Sequence, residues 1–348
     1  MSRARVLLGH GSGGKLTHQL IESLFVPQLS NPALEALDDS AVCLVEDPQG
    51  TLHPSDDGRA RIAFTTDSYV VRPLFWTGGD IGRLAVCGTV NDLAMVGATP
   101  LYLSAGFILE EGLPLATLRR ITASLKEAAR EAGVKIVAGD TKVVERGSAD
   151  GLFINTAGVG VVPEGMNISG RNARPGDAVI LSGPIGNHGI SVLLEREQMG
   201  FVSSVKSDVA PLNHLVAAML QASQNIHALR DPTRGGLATS LVEIARQSAV
   251  AIRIHEEKIP VDQEVAAACE VLGYDPLYVA NEGKLIALVA PQDALAILEA
   301  MRKLDYGRQA TIIGEVLPEP SGKVLMATRV GGTRIVDMLS GEQFPRIC

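Results

Sequence analysis

Acidic residues set in apolar surroundings are where this sequence carries its chemistry. Four motifs hold them: DDSA (Asp38, Asp39), TTDS (Asp67), VNDLAM (Asp92) and DPTRGG (Asp231). Asp67 follows an apolar strand pattern. Asp92 falls inside an apolar helical pattern, where an unpaired carboxylate is destabilising. A shared cation offsets that penalty, and Mg2+ takes carboxylate oxygens together with nucleotide phosphates. Taken singly, each aspartate also fits a helix cap or a turn, and Asp92, in mid-helix, fits that role least.

Other stretches point to anions. GHGSGGK (Gly9–Lys15) is a glycine loop ending in a lysine. Gly11, Gly13 and Gly14 let backbone N–H groups approach phosphate oxygens, and Lys15 adds a point charge. It is not a Walker A loop, because leucine follows the lysine and no useful strand precedes it. A plain amino-terminal loop stays open as a reading. AGDTKVV puts Asp140, Thr141 and Lys142 at a strand end, with Asp140 and Lys142 on one face. DPTRGGLA opens a helix around Gly235, whose N–H groups and dipole face an anion. Glu282, in ANEGKLIAL, stands just before a buried strand, a position usually taken by a solvated loop end.

The cysteines divide into two kinds. Cys43, Cys87 and Cys269 lie in apolar runs and read as small core hydrophobes. None of the four forms a CxxC pair, which argues against a cysteine zinc site. Cys348 is the last residue, after Pro-Arg-Ile, with chain on one side only to hold it, and it does not fit the CaaX pattern. His10, His18, His188 and His214 show no ligand spacing. GNHGI, around His188, reads as a substrate-contacting loop at a domain junction.

The elements that must position these groups follow from composition and pattern. The 348 residues are 46% hydrophobic and 20% charged, enough for about two packed domains. Aromatics are 4% against 36 glycines, which favours an α/β (α+β) protein over a base-stacking platform. A net charge of −8 with no basic block argues against nucleic-acid binding. No segment approaches a membrane span or a signal-peptide core, so the expected location is the cytoplasm. A helix is predicted near Leu16–Leu24, then strands at DDSAVCLVE and RIAFTTDSYVV, with a surface loop between them. Next come a long buried helix through GGDIGRLAVCGTVNDLAMVGATP, a strand at LYLSAGFILE, a helix ended by Gly133, and strands at KIVAGDTKVV and GLFINTAGVGVVP. A Gly/Asn/Pro-rich boundary falls at about 164–175. Beyond it, strands at DAVIL, VAIRIHEEKIP, KLIALVAP and ATIIGEVLP alternate with helices. The expected division is 1–37 for the glycine loop and helix, 38–165 for the first domain, 174–319 for the second, and 320–348 for a mobile tail with a hairpin at KVLMATRVGGTRIV.

The combination GSGGK, DDSA, TTDS, VNDLAM, GDTKVV, NTAGVG, DPTRGGLA and NEGKL, closed by PRIC, resembles the HypE family, the carbamoyl dehydratases of nickel–iron hydrogenase maturation. The resemblance runs over essentially the whole chain. Its aspartate and glycine motifs are similar to those of the wider PurM-like superfamily. It implies two α/β domains, the first forming an intersubunit β-barrel in a homodimer with ATP near the interface. It also implies ATP and Mg2+ as cofactors. The terminal thiol is carbamoylated by HypF, ATP phosphorylates the carboxamide oxygen, and loss of phosphate leaves a thiocyanate. The cyanide then passes to iron on a HypC–HypD complex. Residue by residue, the resemblance makes Asp39, Asp67, Asp92 and Asp231 the metal ligands and Lys15 the loop lysine. Lys142 and Glu282 assist dehydration: Glu282 removes the amide proton, and Lys142 steadies the oxyanion or the phosphate, or binds ATP only.

Two rival readings remain. Selenophosphate synthetases carry a cysteine or selenocysteine in the glycine loop, and this loop has neither. A non-catalytic carrier would have no need of several carboxylates in apolar places. From Asp337 to Cys348 the extended chain spans at most about 36–40 Å. Two tail positions are expected, tucked in and out, with Gly331, Gly332 and Gly341 as hinges.

Overall fold

The computed structural model describes residues 5–46, 59–197, 204–341 and 346–348, and statements of absence below concern these alone. The predicted surface loop at 47–58 and most of the arm before Cys348 lie outside them.

The glycine loop leads into a broken helix: α1 (Lys15–Leu20), a π-helical turn (Ile21–Phe25) and α2 (Val26–Leu29). The first domain follows: β1 (Ala41–Glu46), β2 (Arg59–Tyr69), a small hairpin of β3 (Phe75–Trp76) and β4 (Gly79–Asp80), α3 (Ile81–Met95), β5 (Thr99–Glu110), α4 (Leu115–Ala132), β6 (Lys135–Val144) and β7 (Leu152–Val162). Asp80 starts α3 by accepting from the N–H groups of Gly82 and Arg83 at 2.8 and 3.1 Å. The helix is buried on nearly every side because small residues admit close neighbours. A Cβ at Gly88 would stand 2.3 Å from the Tyr69 hydroxyl. The strands form one sheet, ordered β1-β2-β7-β5-β6, with β5 and β6 parallel across α4. Its inner face carries Ala63, Asp67 and Tyr69 toward α3. Phe64, Tyr102 and Ile108 alternate onto the other face, where they are exposed.

The second domain holds β8 (Ala178–Leu181), α5 (Asn187–Glu197), α6 (Asn213–Ala222), β9 (Ile226–Arg230), α7 (Gly236–Gln247), β10 (Ala251–His255), α8 (Gln263–Leu272), β11 (Ile286–Val289), α9 (Ala294–Arg302), β12 (Thr311–Leu317), β13 (Lys323–Ala327) and β14 (Thr333–Val336). They build a seven-stranded sheet, ordered β14-β13-β10-β12-β8-β11-β9. One apolar core crosses the domain boundary, packing Leu93 and Met95 of α3 with Leu215 and Met219 of α6. No helix among the described residues is long and apolar enough to cross a membrane.

Several expectations change. Strand β9 was not predicted. It is a short edge strand, and its His227 points inward to Asp177 at 2.8 Å, which breaks the apolar pattern. Asp67 lies within β2 rather than after it. The hairpin at 323–336 forms the far edge of the second sheet instead of a mobile tail. Gly331 and Gly332 close its turn and are not hinges, whereas Gly341 (φ 89°) has open space around it. Cys87 and Cys269 are buried as expected, but Cys43, on the edge strand β1, is exposed.

Candidate active site

A cavity of about 330 Å³ opens where β2, α3, the loop after β9 and the loop before β11 converge. Asp67 enters from β2, Asp92 from α3, Asp231 from the end of β9, and Glu282 from the loop before β11. Asp39, Gly13 and the terminal Cys348 also line it. Two buried asparagines hold these loops in place. The Asn91 side chain donates to Ala210 O (3.1 Å) and accepts from Leu212 N–H (2.8 Å), locking α3 to the second domain beside Asp92. The Asn281 side chain donates to Pro232 O at 2.9 Å, tying the Glu282 loop to the Asp231 loop.

The carboxylates crowd one another. Burial, then Asp231 and Asp67, push the Asp92 carboxyl well above the usual range, against a hydrogen bond from Thr65 (2.9 Å). Burial pushes Asp231 up to about 6, although Arg230 pulls it down. Burial, Asp231 and Asp67 raise Glu282 well above its ordinary value. Asp231 Oδ2 and Glu282 Oε1 are buried without a hydrogen-bond partner. Burial also raises Asp39 well above its ordinary value, although Arg230, whose Nη1 meets its Oδ1 at 2.8 Å, pulls it down.

Buried, unpaired carboxyl oxygens around a cavity fit a hard cation. Among the described residues no three His, Cys, Asp or Glu side chains stand together as a metal-holding group. An ion here would therefore draw on the carboxylates in ones and twos, completed by phosphate oxygens and water, as Mg2+ does.

The carboxyl end reaches this cavity within its own chain. Arg346 takes a left-handed conformation (φ 53°), and its Nε donates to Val70 O at 2.9 Å. Its carbonyl accepts from Arg196 Nη2 at 2.7 Å and from Arg72 N–H at 3.2 Å. His188 Nε2 lies 3.0 Å from Ile347 O. Cys348 is 6% exposed, and its Sγ accepts from Arg234 Nε at 2.8 Å. Burial pushes the thiol up to about 12, against the pull of Arg234. A chain end with neighbours on one side only is thus held by hydrogen bonds to its last carbonyls.

Comparison with known proteins agrees with this geometry. The AIR synthase related protein families match residues 38–162 (N-terminal domain) and 174–327 (C-terminal domain). Carbamoyl dehydratase HypE of Cupriavidus necator is 55% identical over 344 residues, covering 99% of this chain and 95% of that protein. The chain belongs to the HypE family. A HypE in complex with HypF superposes with a TM-score of 0.84 at 50% identity, covering 92% of this chain and 99% of that one. A HypE in complex with ATP gives 0.81 at 48% identity over 99% and 100%. The expected two-domain PurM-like architecture is the one observed.

Not every residue carried over from the family motifs meets at the cavity. Lys15 lines a neighbouring cavity of about 570 Å³ with His18, Arg230, Glu243 and Arg246, and it pairs with Asp337 at 2.7 Å. Gly14 packs against Leu339, whose carbonyl a Cβ there would meet at 2.5 Å. Gly11 accepts from Arg234 Nη1 at 2.6 Å, and Gly235 (φ 81°) caps α7. Asp140, Thr141 and Lys142 are exposed on β6, and Lys142 Nζ pairs with Asp140 at 2.6 Å. Through its pairing with Ile108, Lys142 sits on the exposed sheet face. Three strand spacings, about 14 Å, separate β6 from β2.

Glu282 is buried at 3% exposure, not a solvated loop end, because the domain junction closes over it. Arg230, Arg234 and Asn91 went unread as site residues. They lie in RDPTRGG and VND, beside residues whose charge or backbone freedom is the stronger signal.

Proposed function

We propose that this chain dehydrates a carbamoyl group carried on Cys348 to a thiocyanate, with ATP as the activating substrate. The observation that carries this reading is the Cys348 sulfur lining the same cavity as Asp67, Asp92, Asp231 and Glu282. The carbamoyl oxygen attacks the γ-phosphorus, ADP leaves, and one N–H proton passes to water. Glu282 then takes the remaining N–H proton as the C–O bond breaks, giving inorganic phosphate and a carbon–nitrogen triple bond with the C–S bond intact. Mg2+, drawing on Asp67, Asp92, Asp231 and Asp39 one or two at a time, would neutralise phosphate charge. Relief of the Asp231 and Asp67 charges, which with burial raise Glu282, would return it toward its basic form.

The docked thiol, held protonated, is a poor nucleophile. Loading by HypF and delivery to HypC–HypD therefore take place with the tail out, and dehydration with it in. The exposed apolar face with Phe64, Tyr102 and Ile108 supports a homodimer through the first sheet. Lys142 lies on that face, so it serves the site across the dimer contact. The nucleotide and reduced-thiol chemistry support a cytoplasmic location.

The test is mass spectrometry of the C-terminal peptide released by cleavage after Glu342. Carbamoylated protein should lose the mass of one water only when ATP is added; no such loss removes the reading. Lys142→Ala and Glu282→Gln should each abolish that step. Mixed dimers of Lys142→Ala and Cys348→Ala subunits should recover part of it if the lysine acts across the contact.

A further inference from the structure

Arg234 joins the glycine loop to the terminal sulfur. Its Nε–H donates to Cys348 Sγ at 2.8 Å, and its Nη1 donates to Gly11 O at 2.6 Å. The loop is shaped around it. A Cβ at Gly13 (φ 74°) would stand 2.6 Å from Arg234 Cβ and 2.9 Å from its carbonyl oxygen. The tight approach of Arg234, as well as access for an anion, therefore requires glycine at position 13. Gly235 and Gly236 follow with φ of 81° and 63°, the backbone turn that sets Arg234 at the cavity side of α7. Glu282 and Asp67 line the same cavity, so the guanidinium and the sulfur share it with carboxylates.

We propose that Arg234 is a positioning residue, which fixes the Cys348 sulfur so that a carbamoyl group on it faces Glu282. The planar guanidinium sends donors at set angles to the sulfur and to the loop, so one side chain places the loaded tail and the glycine loop relative to each other. Arg234 stays protonated throughout and neither gives nor takes a proton. This inference rests on the dehydratase reading for its rate effect, but the sulfur contact stands apart from it.

The experiment uses full-length protein and two variants, Arg234→Gln and Arg234→Lys. Each is carbamoylated with cyanate and given ATP, and water loss is followed on the C-terminal peptide. In parallel, alkylation of the unloaded Cys348 by iodoacetamide reports how firmly the sulfur is held. Arg234→Gln should slow dehydration by about a hundredfold, the usual effect of removing one aligned donor at a reacting centre. It should also speed alkylation by about tenfold, as loss of a charge-assisted hydrogen bond predicts. Arg234→Lys, keeping the charge but not the fork, should recover part of both. Wild-type dehydration in Arg234→Gln overturns the inference, as do equal losses in both variants with unchanged alkylation. If wild-type protein forms no thiocyanate, the dehydratase reading fails, and alkylation alone decides the sulfur contact.

Discussion

Arg230 Nη1 lies 2.8 Å from Asp39 Oδ1 and 3.2 Å from Glu243 Oε2, and His18 meets the other Glu243 oxygen at 2.8 Å. The cluster clamps the amino-terminal segment to the second domain beside the cavity, and Arg230 is nine-tenths buried. Replacing it with a neutral residue removes the ion-pair partner of Asp39 and leaves Glu243 with His18 alone. Arg230→Gln is expected to lower unfolding free energy by about 3–5 kcal/mol, the range for breaking a buried pair from one side. Denaturant titration checks it, and a loss under about 1 kcal/mol would show that the clamp is not formed in solution.

How much of this was legible depends on how local each cause is. Helix α3 was readable because an aspartate cap and a run of small and apolar residues specify it within one segment. Strand β9 was not, because its burial comes from β11 beside it and Asp177 opposite His227. Glu282 read as a solvated loop end because its neighbours in sequence are polar, while its burial is made by Asp208 and Asn91 from other elements. Arg230 and Arg234 look like surface charges in a turn motif until the fold sets Asp39 and Cys348 against them. The docked position of Cys348 has no local signature at all; it depends on Arg196, His188 and Val70, far apart in sequence.

The docked tail should respond to alkali. Burial holds the Cys348 thiol up to about 12 against an ordinary 9.0. A raised thiol means the docked state keeps a proton that the free tail gives up. Docking is therefore at full strength below about pH 9 and weakens as pH rises toward the docked value. At pH 7.5, Cys348 should be alkylated at least about tenfold more slowly than the exposed Cys43, since only the thiolate reacts. Equal labelling rates for the two would contradict a docked tail.

His188 should give the opposite response. Its Nε2–H donates to Ile347 O at 3.0 Å, and its Nδ1 faces the Ser207 hydroxyl at 2.9 Å, a pair of partners that suits the neutral ring. Burial holds it below the ordinary 6.5, although Asp208 pulls it up. A lowered histidine costs nothing above about pH 6.5, and stability is lost as pH falls from there toward the folded value. Melting temperature measured from pH 8 to pH 5 should therefore fall less in His188→Gln, which keeps a donor for Ile347 but cannot take up the proton. Identical pH profiles would remove His188 as the cause.

Asp231 carries a penalty that a cation would relieve. Its carboxyl, pushed to about 6 from 3.8 chiefly by burial, is ionised above that pH in a cavity shared with Asp67 and Glu282. Because the folded protein holds the proton more tightly than the unfolded chain, stability falls as pH rises from about 4 to 6 and stays lowered above that. Asp231→Asn removes the charge, so the variant should be more stable than wild type at pH 8, by about 1–3 kcal/mol, and equal to it near pH 4. Mg2+ with ATP should narrow the gap at pH 8 by stabilising wild type more than the variant, because only the wild-type oxygen binds the ion as a charge. A variant less stable than wild type at pH 8 without nucleotide would mean that Asp231 is compensated in the fold, and that the cavity holds no standing demand for a cation at this position.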